Sequence, residues 1–263
     1  MAAAHPDPRH TMGEIEAHLA QSPNDPELLR QKAGVYLDVD QPDEAAKVSA
    51  LLLQLGPEDP ENLLVDARIT LAKGEKDSAA AKVRAIVAKY PKHELAWRFL
   101  ATAEELAGHR DEAIKAMRTH LNLSTHPGPG DVLTCAAWLQ ERRTASDLDA
   151  AIAVLDQGLA RIGCLTGLHH KAIEIELGLG RYDAALRRVD ALTARFRPSV
   201  DLSLRRAEIL EKAGRFKEAA AACDDALALL DILPAARKQS DGFKQQFEAV
   251  SQRKAEDLQK GDP

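Results

Sequence analysis

Apolar residues recur along the chain with a period that predicts a series of paired helices. Large apolar residues follow helical spacing, and no segment shows the alternation of apolar and polar residues that is typical of a strand. A 34-residue period of this kind is typical of stacked helix–turn–helix units, so we expect an all-α chain. Six alanines, at intervals of 34, 34, 38, 34 and 34 residues, mark the period: Ala45, Ala79, Ala113, Ala151, Ala185 and Ala219.

Glycines occur at a fixed distance before four of these alanines. Gly74, Gly108, Gly180 and Gly214 each lie five residues ahead of the alanine. Glycine accepts the left-handed backbone conformation that commonly ends a helix. We therefore expect the first helix of each unit to end at this glycine.

The one irregular interval contains a stretch rich in proline and glycine. Residues 125–131 read Thr-His-Pro-Gly-Pro-Gly-Asp, and the interval is four residues longer than the others. We interpret the stretch as a longer junction between the third and fourth units. A tolerated surface insertion, a hinge and a binding loop all remain open.

The repeat resembles the tetratricopeptide repeat (TPR) family. The copy most similar to the family motif contains Trp97, Leu100, Ala101, Gly108, Ala113 and Pro127. The resemblance covers roughly residues 10–231. It implies a right-handed superhelical solenoid of about six helix–turn–helix units plus an N-terminal half-repeat. We expect the units to start near residues 26, 60, 94, 132, 166 and 200.

The segments outside the repeats differ in character. We expect residues 1–10 to be disordered, residues 11–231 to form the solenoid, and residues 232–260 to form an amphipathic C-terminal helix. Its apolar residues form one narrow stripe: Phe243, Phe247, Val250 and Leu258. Terminal units of a solenoid need a polar outer face, so we interpret this helix as a cap, with dimerisation as the alternative.

Composition and charge exclude several functional classes. The net charge is −6 and no run of Lys and Arg occurs, so we expect no nucleic-acid partner. No stretch of 18 apolar residues occurs, so we expect no membrane insertion. Cys135, Cys164 and Cys223 form no C-x-x-C pair, and we interpret them as packing thiols, with a reactive thiol or a disulfide as the alternative.

Catalytic and cofactor motifs are absent from the sequence. There is no phosphate loop, dinucleotide fingerprint, H-E-x-x-H or G-x-S-x-G. Adjacent residues such as His169 and His170 point about 100° apart on a helix, so they cannot easily share one metal ion. We therefore expect no enzyme activity, no cofactor and no metal.

The resemblance also implies a binding groove on the concave side, lined by the first helix of each unit. The second, fifth, ninth, twelfth and thirteenth positions of that helix face the groove in the family. Five apolar groove positions are expected at Leu64, Leu71, Leu95, Leu106 and Leu204. The basic and amide positions are Arg30, Arg68, Arg98, Gln140 and Arg143, and the remaining ones are His170, Glu174, Asp201, Glu208 and Glu211.

The groove is therefore expected to be basic toward its N-terminal end and acidic toward its C-terminal end. Arg68 and Arg98 fall on neighbouring units, where both could bind one carboxylate. The expected function is a non-catalytic scaffold or adaptor that binds a protein or peptide with an acidic segment. The alternative is a structural subunit that assembles through its convex face or its C-terminal helix.

A looser resemblance concerns the whole chain. The His5-Pro6-Asp7 start, the six units and the closing Leu233-Pro234 segment are similar to bacterial stand-alone repeat proteins that are usually made with a signal peptide. The N-terminus itself has no charged or apolar region of a signal peptide. The sequence thus leaves a cytoplasmic protein and an exported periplasmic or secreted one as alternatives, and it leaves the oligomeric state open.

Overall fold

The helical repeat extends through the described part of the chain. The structure is a computed structural model that describes residues 8–261, with side chains from Met12 onward. Within those residues every regular element is an α-helix and no strand occurs, which confirms the all-α prediction. None of the described helices combines the length and the apolar character needed to cross a membrane.

Six consecutive helix pairs make up most of the chain. They are preceded by α1 (Pro8–Gln21) and followed by α14 (Ala235–Lys238) and α15 (Asp241–Gly261). The first helices of the pairs are α2 (Pro26–Asp38), α4 (Pro60–Ala72), α6 (Glu94–Leu106), α8 (Pro129–Glu141), α10 (Thr166–Gly178) and α12 (Val200–Lys212). The second helices are α3 (Pro42–Leu55), α5 (Lys76–Lys89), α7 (Arg110–Leu123), α9 (Ala145–Ile162), α11 (Tyr182–Arg195) and α13 (Phe216–Asp231).

Every pair turns at the second residue after its first helix, where the backbone φ is positive. Four of these residues are the predicted glycines, Gly74, Gly108, Gly180 and Gly214, with φ between 68° and 86°. The first and fourth pairs use Asp40 (φ 55°) and Arg143 (φ 57°) instead. A side chain with a Cβ is disfavoured in this conformation, so these two turns are strained relative to the other four.

Replacing Arg143 by glycine should therefore stabilise the protein. We expect a gain of about 0.5–1 kcal/mol, since glycine removes the Cβ penalty at φ 57°. Urea denaturation of Arg143→Gly against the wild type would measure it. The reciprocal Gly180→Arg variant should lose stability by a similar amount, and equal midpoints for all three proteins would contradict the argument.

The six repeat alanines lie where the two helices of a pair approach closely. All six are 0% exposed, and each is on a second helix that packs against the first helix of its own pair. A methyl group is the largest side chain that such an approach accepts without overpacking. The close approach is the physical reason for the alanine period.

The helices belong to two compact units that divide between residues 125 and 126. In the first unit, an apolar cluster that includes Leu29, Leu52 and Ile69 joins α2, α3 and α4. In the second unit, a cluster extends from Ile173 on α10 to Val250 on α15. Within each unit, neighbouring helix pairs pack against each other, so the core is continuous from one pair to the next.

The fourth pair corrects the interpretation of residues 125–131. Helix α8 begins at Pro129, three residues before the predicted start, because proline is favoured at the first position of a helix. Ala151 is the seventh residue of α9, whereas the repeat alanine is the fourth residue of every other second helix. Three of the four extra residues therefore extend the start of α9, and only one lengthens the junction.

The ends of the repeat region also differ in detail from the expectation. Helix α1 begins at Pro8, inside the segment expected to be disordered, and residues 1–7 lie outside the described part. The C-terminal segment forms two helices rather than one. The break falls at Ser240, whose Oγ accepts a hydrogen bond from the Phe243 N–H at 3.3 Å and so caps α15.

Candidate functional site

The three predicted groove arginines of the first unit have different surroundings. Arg30 is mostly buried and donates to Asn62 Oδ1 at 2.9 Å and to Asp59 Oδ2 at 3.3 Å. It therefore braces α2 against α4, and its charge is engaged within the chain. Arg68 and Arg98 are exposed on α4 and α6, as a binding role would require.

A buried asparagine supports this brace. Asn62 donates through Nδ2 to Leu52 O at 2.9 Å and to Gly56 O at 3.2 Å. Leu52 O also accepts the Gly56 N–H and Gly56 O the Asp59 N–H, so Asn62 adds a second donor to each carbonyl where α3 ends. Arg30, bound to the amide oxygen, thus completes a network that fixes how neighbouring pairs pack.

The predicted apolar groove positions divide by burial. Leu64 is buried in the core, and Leu71 and Leu204 are half-buried. Leu95 and Leu106, at opposite ends of α6, are exposed. These two leucines leave apolar surface on the first unit.

The second unit contains a cavity of about 850 Å³ between its first helices. Leu133 of α8, Leu192 of α11 and Leu202 of α12 give it an apolar floor, together with Phe196 from the junction that follows α11. Three predicted groove residues, His170, Glu174 and Asp201, also line it. Lys171, Arg197 and Arg205 add positive charge to the lining.

The charges around this cavity are partly neutralised within the protein. Glu174 accepts from Gln140 Nε2 at 2.9 Å and pairs with Lys171 at 3.2 Å. The Gln140 hydrogen bond, followed by Lys171, holds the pKa of Glu174 below its usual range. His170, Arg197 and Asp201 form no ion pair with other described residues, so one carboxylate, one guanidinium and one imidazole remain available to a ligand.

Glu208 is held by two basic neighbours. It accepts from Arg205 at 2.5 Å and from Lys212 at 2.9 Å. Burial raises the pKa of Glu208, but the hydrogen bonds from Lys212 and Arg205 outweigh burial and lower it. Glu208 therefore remains ionised and orients Arg205, which lines the cavity.

Two predicted groove residues have other roles. Arg143 lies in the turn after α8, at the position that glycine takes in other pairs, because α8 begins three residues earlier than predicted. Glu211 is bound by both arms of Arg253 on α15, at 2.5 and 2.9 Å. The chain's own C-terminal helix therefore occupies the end of the predicted acidic surface.

The adjacent histidines of α10 point in different directions, as the helix geometry predicted. His169 is buried, and its Nε2 lies 3.4 Å from the Cys164 Sγ, whereas His170 is exposed. Burial lowers the pKa of His169, with a further contribution from Arg188. None of the three cysteines is in a disulfide, and the described residues contain no group of three or more potential metal ligands.

Sequence reasoning missed several cavity residues. With α8 starting at Pro129, Leu133 becomes its fifth residue and Gln140 its twelfth, both groove positions in the expected register. Gly108 and Arg143 occupy the same turn position and are 35 residues apart, one more than the repeat period. That spacing was the signal from which the start of α8 could have been predicted. Phe196 and Arg197 lie in a junction, where the helical period carries no information.

Comparison with known proteins identifies the repeat. A family model described as "Tetratricopeptide repeat" matches residues 65–131 and 171–236. No curated protein matches the sequence.

Several solved structures have a similar fold at low sequence identity. YrrB, described as a TPR protein with an unusual peptide-binding site, aligns at TM-score 0.50 and 13% identity over 69% of this chain and 91% of that one. The Naa15/Naa10 structure bound to HypK-THB aligns at 0.50 and 18% identity, over 94% of this chain but 38% of that chain. A tetratricopeptide repeat protein from Parabacteroides merdae ATCC 43184 aligns at 0.45 and 13% identity, over 91% of each chain.

Proposed function

Because the chain belongs to the tetratricopeptide repeat family, we propose that it is a non-catalytic scaffold that binds a segment of a partner protein. The repeat provides consecutive helix pairs, and stacked helix pairs commonly form extended binding surfaces. The second unit carries the 850 Å³ cavity. The cavity is the observation that supports binding in this place.

The cavity has the chemistry that a peptide segment needs. Its volume lies in the range of sites that enclose a ligand side chain or small molecule. Leu133, Leu202 and Phe196 would receive an apolar side chain of the partner. Arg197 and Asp201 would bind backbone groups or charged side chains of the partner. Such polar contacts would fix the orientation of the bound segment more than they would raise its affinity.

In the first unit, the same proposal assigns an acidic part of the partner to Arg68 and Arg98. Both side chains are exposed, on α4 and α6. Salt should weaken this contact, since exposed charges are screened over about 10 Å at 0.1 M ionic strength. The peptide-binding site described for YrrB gives a parallel within the same fold.

One observation favours assembly through the C-terminal region as a second candidate function. Ile232 is 77% exposed, and Phe247 and Leu258 on α15 are also exposed. Large apolar side chains left exposed in one region of a chain can mark an interface. In this case the chain would be a structural subunit rather than a peptide receptor.

Filling the cavity should weaken the proposed peptide binding. Gly167 lines the cavity as the second residue of α10, and a Cβ built on it meets no atom within 4 Å, so Gly167→Trp places an indole there without a clash at its base. A random peptide library would be selected on the intact protein, and dissociation constants of enriched peptides measured by fluorescence anisotropy. We expect Gly167→Trp to weaken them by about tenfold or more.

Gly242→Trp is the matched control. Gly242 is the second residue of α15, is exposed, and likewise has no atom within 4 Å of an added Cβ. The enriched peptides should bind Gly242→Trp with the same affinity as they bind the wild type. If peptide affinity is lost in Gly242→Trp and kept in Gly167→Trp, the peptides bind at the C-terminal helix and the cavity proposal fails. The proposal is also rejected if the library yields no stronger enrichment of peptides on the wild-type protein than on Gly167→Trp.

A further inference from the structure

Few side chains of the C-terminal helix α15 are buried, although the helix packs against α13. Of its 21 residues, only Val250 and Asp257 are buried, and Phe243 is partly buried against the same apolar cluster. Its apolar interface is therefore small for a helix of this length. Polar contacts must contribute much of its attachment to α12 and α13.

The polar contacts are ion pairs with both neighbouring helices. Arg253 donates to both carboxylate oxygens of Glu211 on α12, and Lys254 pairs with Asp224 on α13 at 2.6 Å. The Arg253–Glu211 pair is bidentate and partly buried, which is the geometry in which such pairs are strong. Lys260 lies over the Phe216 ring at 5.9 Å from its centre.

Asp257 is the exception in this interface. It is 1% exposed, its Oδ2 has no hydrogen-bond partner, and it faces the carboxyl group of Glu211. The other groups near it are Arg253 and Lys260 on its own helix and the Cys223 thiol on α13. Burial, followed by the charge of Glu211, raises the pKa of Asp257 from 3.8 to about 6, while the Arg253 hydrogen bond lowers the pKa of Glu211.

We propose that α15 is a releasable helix whose docking onto α12 and α13 takes up a proton at the Glu211–Asp257 pair. Two carboxylates in contact, one of them fully buried, repel each other and lack solvation. A single shared proton removes that cost and lets Asp257 donate to Glu211, whose other contacts are with Arg253. Docking is therefore tighter in mildly acidic than in neutral solution, independently of any partner in the cavity.

The sign follows from the direction of the shift. The pKa of Asp257 is raised in the docked state and returns toward 3.8 when α15 is released. Between the two pKa values, docked α15 therefore holds a proton that released α15 does not. The stability that this proton gives to the docked state is lost as the pH rises through about 6. From about pH 5 to about pH 7.5, the opening equilibrium should rise roughly tenfold.

Cys223 provides a reporter for this opening. It is 0% exposed, belongs to the same cluster as Val250, and lies close enough to Arg253 and Asp257 for their charges to affect its thiol. With Cys135→Ala and Cys164→Ala in the background, Cys223 is the one thiol left in the chain. Its reaction rate with a dithiodipyridine, divided by the rate of a small free thiol at the same pH, measures how often α15 opens.

In this background, the protection of Cys223 should be about tenfold greater at about pH 5 than at about pH 7.5. Asp257→Asn mimics the protonated carboxyl and has no proton to release on opening, so the protection of Cys223 in this variant should be independent of pH and at least as great as in the wild type at about pH 5. Arg253→Met should lower protection at both pH values. A flat wild-type profile, or an unchanged pH slope in Asp257→Asn, would overturn the proposal.

A matched protein separates helix release from unfolding of the whole unit. In Cys164→Ala/Cys223→Ala, the remaining Cys135 is also 0% exposed, but it lies on α8, away from α15. Its protection should show neither the pH slope nor the Arg253→Met effect. If Cys135 and Cys223 respond alike in every variant, the whole unit opens together and α15 is not a releasable helix.

Discussion

Replacing Arg84 by methionine is expected to cost about 2–4 kcal/mol of stability. Arg84 on α5 binds both oxygens of Glu104 on α6, each at 2.6 Å, and Glu104 is 1% exposed. Without the guanidinium, the buried carboxylate keeps only His109, 2.9 Å away, as a partner. Arg84 is itself 47% exposed, so we place the cost below that of a fully buried pair.

The double variant Arg84→Met/Glu104→Leu should recover most of this loss. Removing both partners leaves no buried charge, and leucine suits the apolar surroundings. Urea denaturation of the two variants and the wild type gives the comparison. Arg215→Met is the matched control, because Arg215 forms a similar fork with the exposed Glu218, and its loss should cost much less stability than the loss of Arg84. Equal losses for Arg84 and Arg215 would contradict the role of burial.

The same pair predicts a pH dependence. Burial raises the pKa of Glu104, but the hydrogen bonds from Arg84 and His109 outweigh burial and hold it below 4.5. A lowered pKa stabilises the fold above 4.5, and that contribution is lost as the pH falls toward the lowered value. The difference in stability between wild type and Arg84→Met should therefore narrow below about pH 4.5.

Gly158→Ala is expected to destabilise the second unit by about 2–3 kcal/mol, although alanine normally stabilises a helix. Gly158 is buried on α9, and an added Cβ would lie 2.7 Å from Val132 Cγ1 on α8. Val132 is itself buried, and its branched side chain has few alternative rotamers. The backbones of α8 and α9 would have to separate, which disturbs the packing of the pair.

Two further proteins test this contact. Gly178→Ala places a methyl group on α10 with no atom within 4 Å, so it should gain roughly 0.5–1 kcal/mol. Gly158→Ala/Val132→Ala should recover part of the loss, because the smaller residue 132 leaves room for the new methyl group. Thermal unfolding of each would decide the matter: a gain in Gly158→Ala like that in Gly178→Ala would mean that the helices are not in close contact there.

The sequence was sufficient for features that depend on local backbone chemistry. Gly74 and Gly214 end their helices as predicted, since positive φ is a property of one residue and its neighbours. Buried alanines such as Ala113 follow from the period alone. The start of α8 was harder, because Pro129 and Gly130 read as a loop when they in fact form the first turn of a helix.

The candidate site could be predicted only in part, because helical period gives the face of a residue but not its partners. His170, Glu174 and Asp201 line one cavity. Arg30 and Glu211 also lie on first helices, but Asp59 and Arg253 bind them, and these partners are 29 and 42 residues away. No spacing rule indicates which charges a chain will pair within itself.

The exposed ion pairs that join neighbouring second helices affect how cooperatively the chain unfolds. Asp149 pairs with Arg181 at 2.5 Å and Asp183 with Arg215 at 2.8 Å, each 32 residues apart. In both, an acid two residues before a repeat alanine binds the residue just before the next second helix. Such pairs weaken as ionic strength rises, whereas apolar packing inside each helix pair does not. High salt should therefore weaken the contacts between neighbouring helix pairs more than it weakens each helix pair itself. The terminal helix pairs would then unfold before the central ones.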